Sequence, residues 1–280
     1  MNQGAETGLM ALDVGSGRVK LGWFPARGAC SSESLSSVLP IAAVGFPQPD
    51  ETLAVAHREC SPGDLIEAIQ QWLEQFPWQT AQCLMASVRP ELNPLLQELF
   101  DHRLRQLSAA DLPLEVRVDQ PDKVGVDRLL SAVAANRLRQ PQRAAITVDL
   151  GTATTVDLIG ADGAFEGGAI LPGLGLSAAA LHAGTSSLPQ LSPTSIDAPP
   201  APVGKSTALA IQAGLYWGAV GAVRQLARMQ TKNSDTAPQV FVTGGDAALL
   251  TEQLVVASTA ARHVPHMVLV GMAITEAELS

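Results

Sequence analysis

The feature that most constrains this chain is a short device that occurs twice. Leu9-Met10-Ala11-Leu12 is an apolar run that meets Asp13-Val14-Gly15-Ser16-Gly17, after which residues 19–24 resume an apolar, extended pattern. Ala145-Ile146-Thr147-Val148 meets Asp149-Leu150-Gly151-Thr152-Ala153 in the same way, and residues 154–159 continue as a β-branched run. Each copy predicts strand, tight turn, strand, since apolar and β-branched residues suit a half-buried sheet and glycine permits the turn. The two aspartates stand about half of the 280 residues apart. That spacing fits a duplicated domain and not a short solenoid repeat. The expected division is residues 1–140 and 141–280, each half built on its own copy.

Between the two devices, helical and extended signals alternate. Ser61-Pro62-Gly63-Asp64 is a capping-box start with proline at the first helical position, and Leu65, Ile66, Ile69, Trp72, Leu73 and Phe76 follow at helical spacing up to Pro77. Residues 83–88 read as a buried strand, Asn93-Pro94 as the start of a short helix, residues 116–118 as a strand leading to Gly125, and residues 127–138 as a helix. In the second half, residues 207–229 form a long helical pattern, residues 240–243 a strand, and Gly244-Gly245 a turn into a helix. Residues 188–203, rich in Pro and Ser, read as an irregular loop. Strands alternating with helices predict an α/β fold.

Charge and cysteine usage narrow the function classes. With 27 acidic against 18 basic side chains, the chain lacks the cationic surplus that a nucleic-acid backbone or an anionic membrane calls for. No segment approaches the roughly 20 apolar residues of a membrane span, and residues 1–8 carry Glu6 and no basic leader. Cys30, Cys60 and Cys83 are an odd number and too widely spaced for a Cys-x-x-Cys pair. A cytoplasmic protein is expected, with no nucleic-acid or membrane partner.

The chemistry centres on the two Asp-x-Gly turns. Glycine lets the backbone approach a phosphate closely enough for successive N–H groups to cradle its oxygens. A carboxylate beside bound phosphates holds Mg²⁺, which prefers oxygen ligands and bridges carboxylate to nucleotide. Ser16, Thr152 and Lys20 add hydroxyls and a positive charge. One such turn is an ordinary hairpin; a second copy half a chain away makes the pair a candidate nucleotide site. Other nucleotide motifs fail. Gly204-Lys205-Ser206 resembles the end of a P-loop, but Pro199 occupies the position of the required earlier glycine, and Lys20 stands where a dinucleotide fingerprint needs its third glycine. His263 and His266 have zinc-like spacing interrupted by Pro265 and read better as structural residues. No Gly-x-Ser-x-Gly elbow accompanies His57, His102 or His182.

Four motifs in order carry a family resemblance: Asp13-Val14-Gly15 through Lys20; Gly125-Val126-Asp127-Arg128; Asp149-Leu150-Gly151-Thr152-Ala153-Thr154-Thr155; and Gly167-Gly168-Ala169-Ile170-Leu171-Pro172-Gly173. Together they resemble the type III pantothenate kinases, over a span from about Leu9 to the C-terminal helix. The resemblance implies a duplicated actin-like (ribonuclease H-like) two-domain ATPase fold, with the nucleotide in the interdomain cleft. It also implies ATP-dependent phosphorylation of pantothenate to 4'-phosphopantothenate, the first step toward coenzyme A, by a homodimer that uses Mg²⁺ and a monovalent cation, K⁺ or NH₄⁺.

Carried over position by position, the resemblance assigns the ATP phosphates to Asp13, Val14, Gly15, Ser16, Gly17, Arg18, Val19 and Lys20, with Asp13 holding Mg²⁺ through the nucleotide and Thr152 as a second contact. Asp149 would bind the monovalent cation. Gly125, Val126, Asp127, Arg128 and Thr207 would line the pantothenate pocket, with Asp127 as proton acceptor and Arg128 as the partner of the anionic substrate. The chain departs from the family pattern at Ser16-Gly17, where Asn-Thr is usual, and at Val118, where a tyrosine is usual. Two further readings stay open: a catalytically weak nucleotide-binding regulator of the same fold, and a kinase for another small hydroxy acid.

Overall fold

The computed structural model describes residues 8–26, 46–191, 195–234 and 236–279. Cys30, one of the three cysteines weighed above, lies outside the described residues, as do residues 1–7. The chain divides into two compact units. The first comprises Met1–Pro113, Gln120–Leu138 and Met267–Ser280, and the second Leu114–Asp119 and Arg139–His266. This division differs from 1–140 and 141–280: Leu114–Asp119, shortly before the Gly125–Arg128 motif, and residues 139–140 group with the second unit, and the C-terminal helix returns to the first.

The first unit holds β1 (Leu9–Val14), β2 (Val19–Phe24), β3 (Glu51–Val55), α1 (Pro62–Leu73), β4 (Gln82–Ser87), α2 (Asn93–Leu99), β5 (Arg105–Gln106) and α3 (Val126–Leu138). Its sheet runs β3-β2-β1-β4-β5. The β1–β2 and β2–β3 pairs are antiparallel, and the β1–β4 and β4–β5 pairs parallel. Capping of α1 follows the sequence signature. The Asp64 N–H donates to Ser61 Oγ while the Asp64 carboxylate accepts from the Ser61 N–H. The helix ends at Leu73, so Phe76 lies beyond it, stacked on Trp23 and tilted against Trp72 with ring centroids 5.5 and 4.6 Å away. Met10, Leu12, Val14, Leu21 and Met85 of the sheet bury against Leu65, Ile69 and Trp72 of α1 and Leu96 of α2.

The second unit holds β6 (Ala145–Leu150), β7 (Ala153–Ile159), β8 (Phe165–Pro172), α4 (Leu174–Ala183), α5 (Thr207–Gln230), β9 (Gln239–Thr243), α6 (Ala247–Leu250), β10 (Val255–Val256), β11 (Thr259–Ala260) and β12 (Arg262–His263). Its main sheet, β8-β7-β6-β9-β12, repeats the first: three antiparallel strands followed by two in parallel. The duplication inferred from the two turns is therefore present strand for strand. Ile146, Val148, Leu150, Val156, Val240 and Val242 bury one face of this sheet against Tyr216, Val220 and Val223 of α5. α7 (Met267–Leu279) belongs to the first unit, where a Cβ on its Gly271 would stand 2.2 Å from the Leu130 carbonyl oxygen. α3 and α7 thus cross at backbone contact, which fixes the helix that carries the Gly125–Arg128 motif.

Residues 116–118 do not form the expected strand. Val116 makes a single bridge to Phe165, and Pro113 and Pro121, which have no N–H for a ladder, bracket the segment. Gly244-Gly245 leads into only the one-turn α6. The described part of residues 188–203 is irregular, and α5 holds it. Trp217 Nε1 donates to Pro200 O at 2.9 Å and Gln212 Nε2 to Ser195 O at 3.0 Å. No helix among the described residues is long and apolar enough to cross a membrane.

Candidate functional site

In the first unit the turn between β1 and β2 is closed by one backbone bond, Gly15 N–H to Arg18 O at 3.0 Å. Asp13 pairs in register with Lys20, whose Nζ lies 3.7 Å from Asp13 Oδ2; the carboxylate is largely buried and the lysine one-third exposed. Val14 and Val19 put their side chains fully into the core, so only their backbone is left to face a ligand. Ser16 and Arg18 are exposed.

Parallel pairing sets β4 beside β1, so the chain leaving β4 runs along this turn. The Val88 N–H donates to Val14 O at 3.0 Å. The same Val88 reaches the start of α3, its Cγ1 lying 3.8 Å from where a Cβ on Gly125 would stand. One residue therefore links the Asp13 turn to the Gly125-Val126-Asp127-Arg128 motif, at the carboxyl ends of two parallel strands. Open α/β sheets bind ligands at such ends. Asp127 is half-buried, and its Oδ1 accepts from the Arg128 N–H at 2.9 Å. A Cβ on Gly125 would come within 2.5 Å of that oxygen. Glycine at 125 is thus the space in which the Asp127 carboxylate sits.

Two side chains at this turn had no signal in the sequence motifs. Arg89 Nη1 donates to Ser16 O at 3.1 Å, and His57 Nε2 donates to Gly15 O at 3.0 Å. Arg89 also pairs through Nε with Glu91. Hydrogen bonds from its own backbone and from Arg89, with the nearby charge of His57, hold the Glu91 carboxyl below its usual range. His57 comes from the loop after β3 and Arg89 from the loop after β4, so only the sheet register brings them together.

In the second unit the equivalent turn is one residue tighter, closed by Gly151 N–H to Ala153 O at 3.1 Å. Gly173, at the start of α4, packs on it and donates its N–H to Thr152 O at 3.0 Å. Gly244 lies close enough that a Cβ there would meet Asp149 Oδ1 and Leu150 O at 2.5 Å each. A carboxylate and a carbonyl oxygen converge here, and such oxygen donors suit a hard cation. Gly244 adopts φ +101°, a backbone conformation that favours glycine. Thr152 is exposed, and exposed Thr207 opens α5 behind Ser206, whose Oγ caps the helix by accepting from the Leu209 N–H at 3.3 Å. Val118 faces the glycine motif of β8: a Cβ on Gly167 would lie 3.4 Å from its Cγ1. The segment that carries Val118 is pinned by Arg117, which bonds Glu115, Asp162 and Glu166 at 2.7 to 2.9 Å. His263 is a β12 residue whose burial lowers its pKa.

Known proteins resemble this chain in sequence and in fold. The family model described as type III pantothenate kinase matches residues 9–229. A type III pantothenate kinase of Dehalococcoides mccartyi is 33% identical over 249 residues, covering 87% of this chain and 88% of that one. One from Gluconobacter oxydans is 42% identical over 142 residues, about half of each chain at 51%. Among solved structures, MreB5 of Spiroplasma citri bound to AMPPNP superposes with a TM-score of 0.50 at 10% identity, covering 98% of this chain and 97% of that one. The ethanolamine utilization protein EutJ of Carboxydothermus hydrogenoformans gives 0.51 at 17%, covering 96% and 89%. These likenesses show the fold, a duplicated actin-like α/β ATPase architecture. The four motifs, the repeated sheet and the family match lead to one conclusion: the chain belongs to the type III pantothenate kinase family.

Proposed function

We propose that this chain transfers the γ-phosphoryl group of ATP to the hydroxyl of pantothenate, giving 4'-phosphopantothenate and ADP, the first step of coenzyme A biosynthesis. The observation that carries this reading is the half-buried Asp127 carboxylate, held at the start of α3 beside the strand end that bears the Asp13 turn. Phosphoryl transfer depends mainly on alignment and charge neutralisation. The N–H groups of the turn from Gly15 to Arg18 bind phosphate oxygens, and Lys20 adds positive charge. Asp13 would hold Mg²⁺ through the nucleotide, and the metal would supply neutralisation of the phosphate charge. Asp127 orients the attacking hydroxyl and takes its proton as the new oxygen–phosphorus bond forms and the bond to the β-phosphate breaks. Arg128 pairs with the substrate carboxylate. Thr152 and Thr207 add contacts to nucleotide and substrate, and the Asp149 and Leu150 oxygens would hold K⁺ or NH₄⁺.

The reading includes a cytoplasmic homodimer. Ile170 of β8 and Val203 of the segment before α5, 63% and 66% exposed, are joined among exposed aliphatic residues of the second unit by Leu176 and Leu181 of α4 and Leu209 of α5. This much exposed aliphatic surface fits a partner face. Sedimentation of the purified protein at twice the monomer mass supports the dimer, and monomer mass overturns it.

An ADP-release assay with Mg²⁺-ATP and pantothenate, run in K⁺ and again in Na⁺, tests the reaction. Pantothenate-dependent turnover that needs K⁺ is the expected result. Absence of turnover alongside ATP binding overturns it. Val118, standing beside Gly167, favours one alternative, a kinase for another small hydroxy acid, and a panel of hydroxy acids in the same assay separates the two.

A further inference from the structure

We propose that Arg89 and His57 are positioning residues that orient the backbone of the first turn for phosphate. This rests on the kinase reading above and concerns the geometry of its nucleotide site. The turn's only internal backbone bond is Gly15 N–H to Arg18 O. Gly17 has no side chain, and the peptide planes between Gly15 and Gly17 lie inside the loop that this bond closes. Two side chains from outside the turn fix those planes. His57 Nε2 holds the Gly15 carbonyl at 3.0 Å and Arg89 Nη1 holds the Ser16 carbonyl at 3.1 Å.

In a trans peptide the carbonyl of one residue and the N–H of the next point in opposite directions. Anchoring the Gly15 and Ser16 oxygens therefore turns the Ser16 and Gly17 N–H groups away from His57 and Arg89, as two successive donors of the kind that bind anions. Arg89 is itself held. Its N–H donates to Ser87 Oγ at 3.1 Å, Ser87 Oγ donates to Asn93 Oδ1 at 2.6 Å, and its guanidinium pairs with Glu91. The anchor is thus built on β4 and α2, elements packed into the core. The turn gains the order that a side-chain donor at Gly17 would otherwise supply.

The test compares wild type with Arg89→Met, Arg89→Lys and the double variant His57→Gln/Arg89→Met. Calorimetric affinities for ATP and for adenosine are measured with KM for ATP and pantothenate. Arg89→Met is expected to weaken ATP binding about tenfold, the effect of one lost charge-assisted hydrogen bond. The double variant weakens it further, Arg89→Lys restores part of it, and adenosine affinity and KM for pantothenate stay near wild type. Unchanged ATP affinity in the double variant overturns the proposal, as does an equal loss for adenosine, which would mean general damage to the unit. If the double variant does not fold, Arg89→Lys against Arg89→Met decides by the same criteria. Wild-type protein that shows these binding effects yet never phosphorylates pantothenate sinks the kinase reading and leaves the positioning role standing; normal turnover with indifferent variants does the reverse.

Discussion

Asp13 and Asp149 occupy the same place in equivalent strands: each is the fifth of six residues, in β1 and in β6, and each opens an Asp-x-Gly turn. Their cross-strand partners differ. Asp13 faces Lys20, and Asp149 faces Thr155. A lysine at 3.7 Å suits a carboxylate that works among phosphates, where added positive charge helps. A neutral partner suits a carboxylate whose charge is to be met by a cation. Asp13→Ala is therefore expected to weaken Mg²⁺-ATP binding, and Asp149→Ala to leave that binding near wild type while raising the K⁺ concentration for half-maximal turnover. Nucleotide calorimetry and a K⁺ titration check the pair; identical phenotypes would remove the division of labour.

The Asp127 carboxylate and Gly125 make a second, separable test. In Asp127→Asn the amide oxygen still accepts from the Arg128 N–H, so the helix start survives while the proton acceptor is lost. Turnover should fall about 10²–10⁴-fold, the usual contribution of a positioned base, with ATP affinity unchanged. Gly125→Ala reaches a similar end by displacement, since its Cβ would enter within 2.5 Å of Asp127 Oδ1. A shift of about 1 Å in a reacting group costs roughly 10²-fold. Normal turnover in Asp127→Asn would show that Asp127 is not the acceptor, and normal turnover in Gly125→Ala that the carboxylate tolerates the methyl group.

Much of this was legible in the sequence, because strand-turn-strand devices announce themselves locally. The apolar runs at Leu9 and Ala145, the Ser61–Asp64 capping box and the pattern of α5 need only neighbours in the chain. The duplicated sheet followed from finding one turn twice. What escaped were features set by pairing between distant segments. β3 is a half-exposed edge strand beginning Glu51-Thr52, with no apolar alternation to mark it. The return of α7 to the first unit depends on the close approach of Gly271 to Leu130. His57 and Arg89 meet the first turn only through the register of β3, β2, β1 and β4. Residues 116–118 had strand propensity, but flanking prolines and a single available partner kept them from laddering.

Gly244 tests how the second turn is held. Alanine there must adopt φ +101°, and its Cβ would lie 2.5 Å from the Leu150 carbonyl oxygen, a backbone atom that cannot swing aside as a side chain does. The conformation alone costs about 1–3 kcal/mol, and the contact adds to it. Gly244→Ala should lower the unfolding midpoint and, by pushing on Asp149, weaken the K⁺ response. A melting curve superposable on wild type would show that the turn accommodates the methyl group by moving.

Arg117 links surface charge to the glycine motif of β8. Its guanidinium grips Glu115 through Nε and Nη2, Asp162 at 2.7 Å and Glu166 at 2.9 Å, and the resulting hydrogen bonds hold the Glu115 and Asp162 carboxyls below their usual range. Groups whose folded pKa is depressed stabilise the fold above their unfolded pKa and lose that contribution as pH falls through the folded value. The clasp is therefore complete at neutral pH and comes apart below about pH 4, where carboxylates protonate. Exposed ion pairs contribute little individually, so Arg117→Met should lower stability only modestly at pH 7, and the gap to wild type should close at acid pH. The larger effect is local. Val118 follows directly and packs at Gly167, so releasing the clasp loosens that contact and should raise KM for pantothenate several-fold while KM for ATP holds. Urea midpoints across pH, with the two KM values at pH 7, measure both. A stability gap that is constant with pH would place the effect outside the clasp, and a matched rise in KM for ATP would separate Val118 from the substrate side.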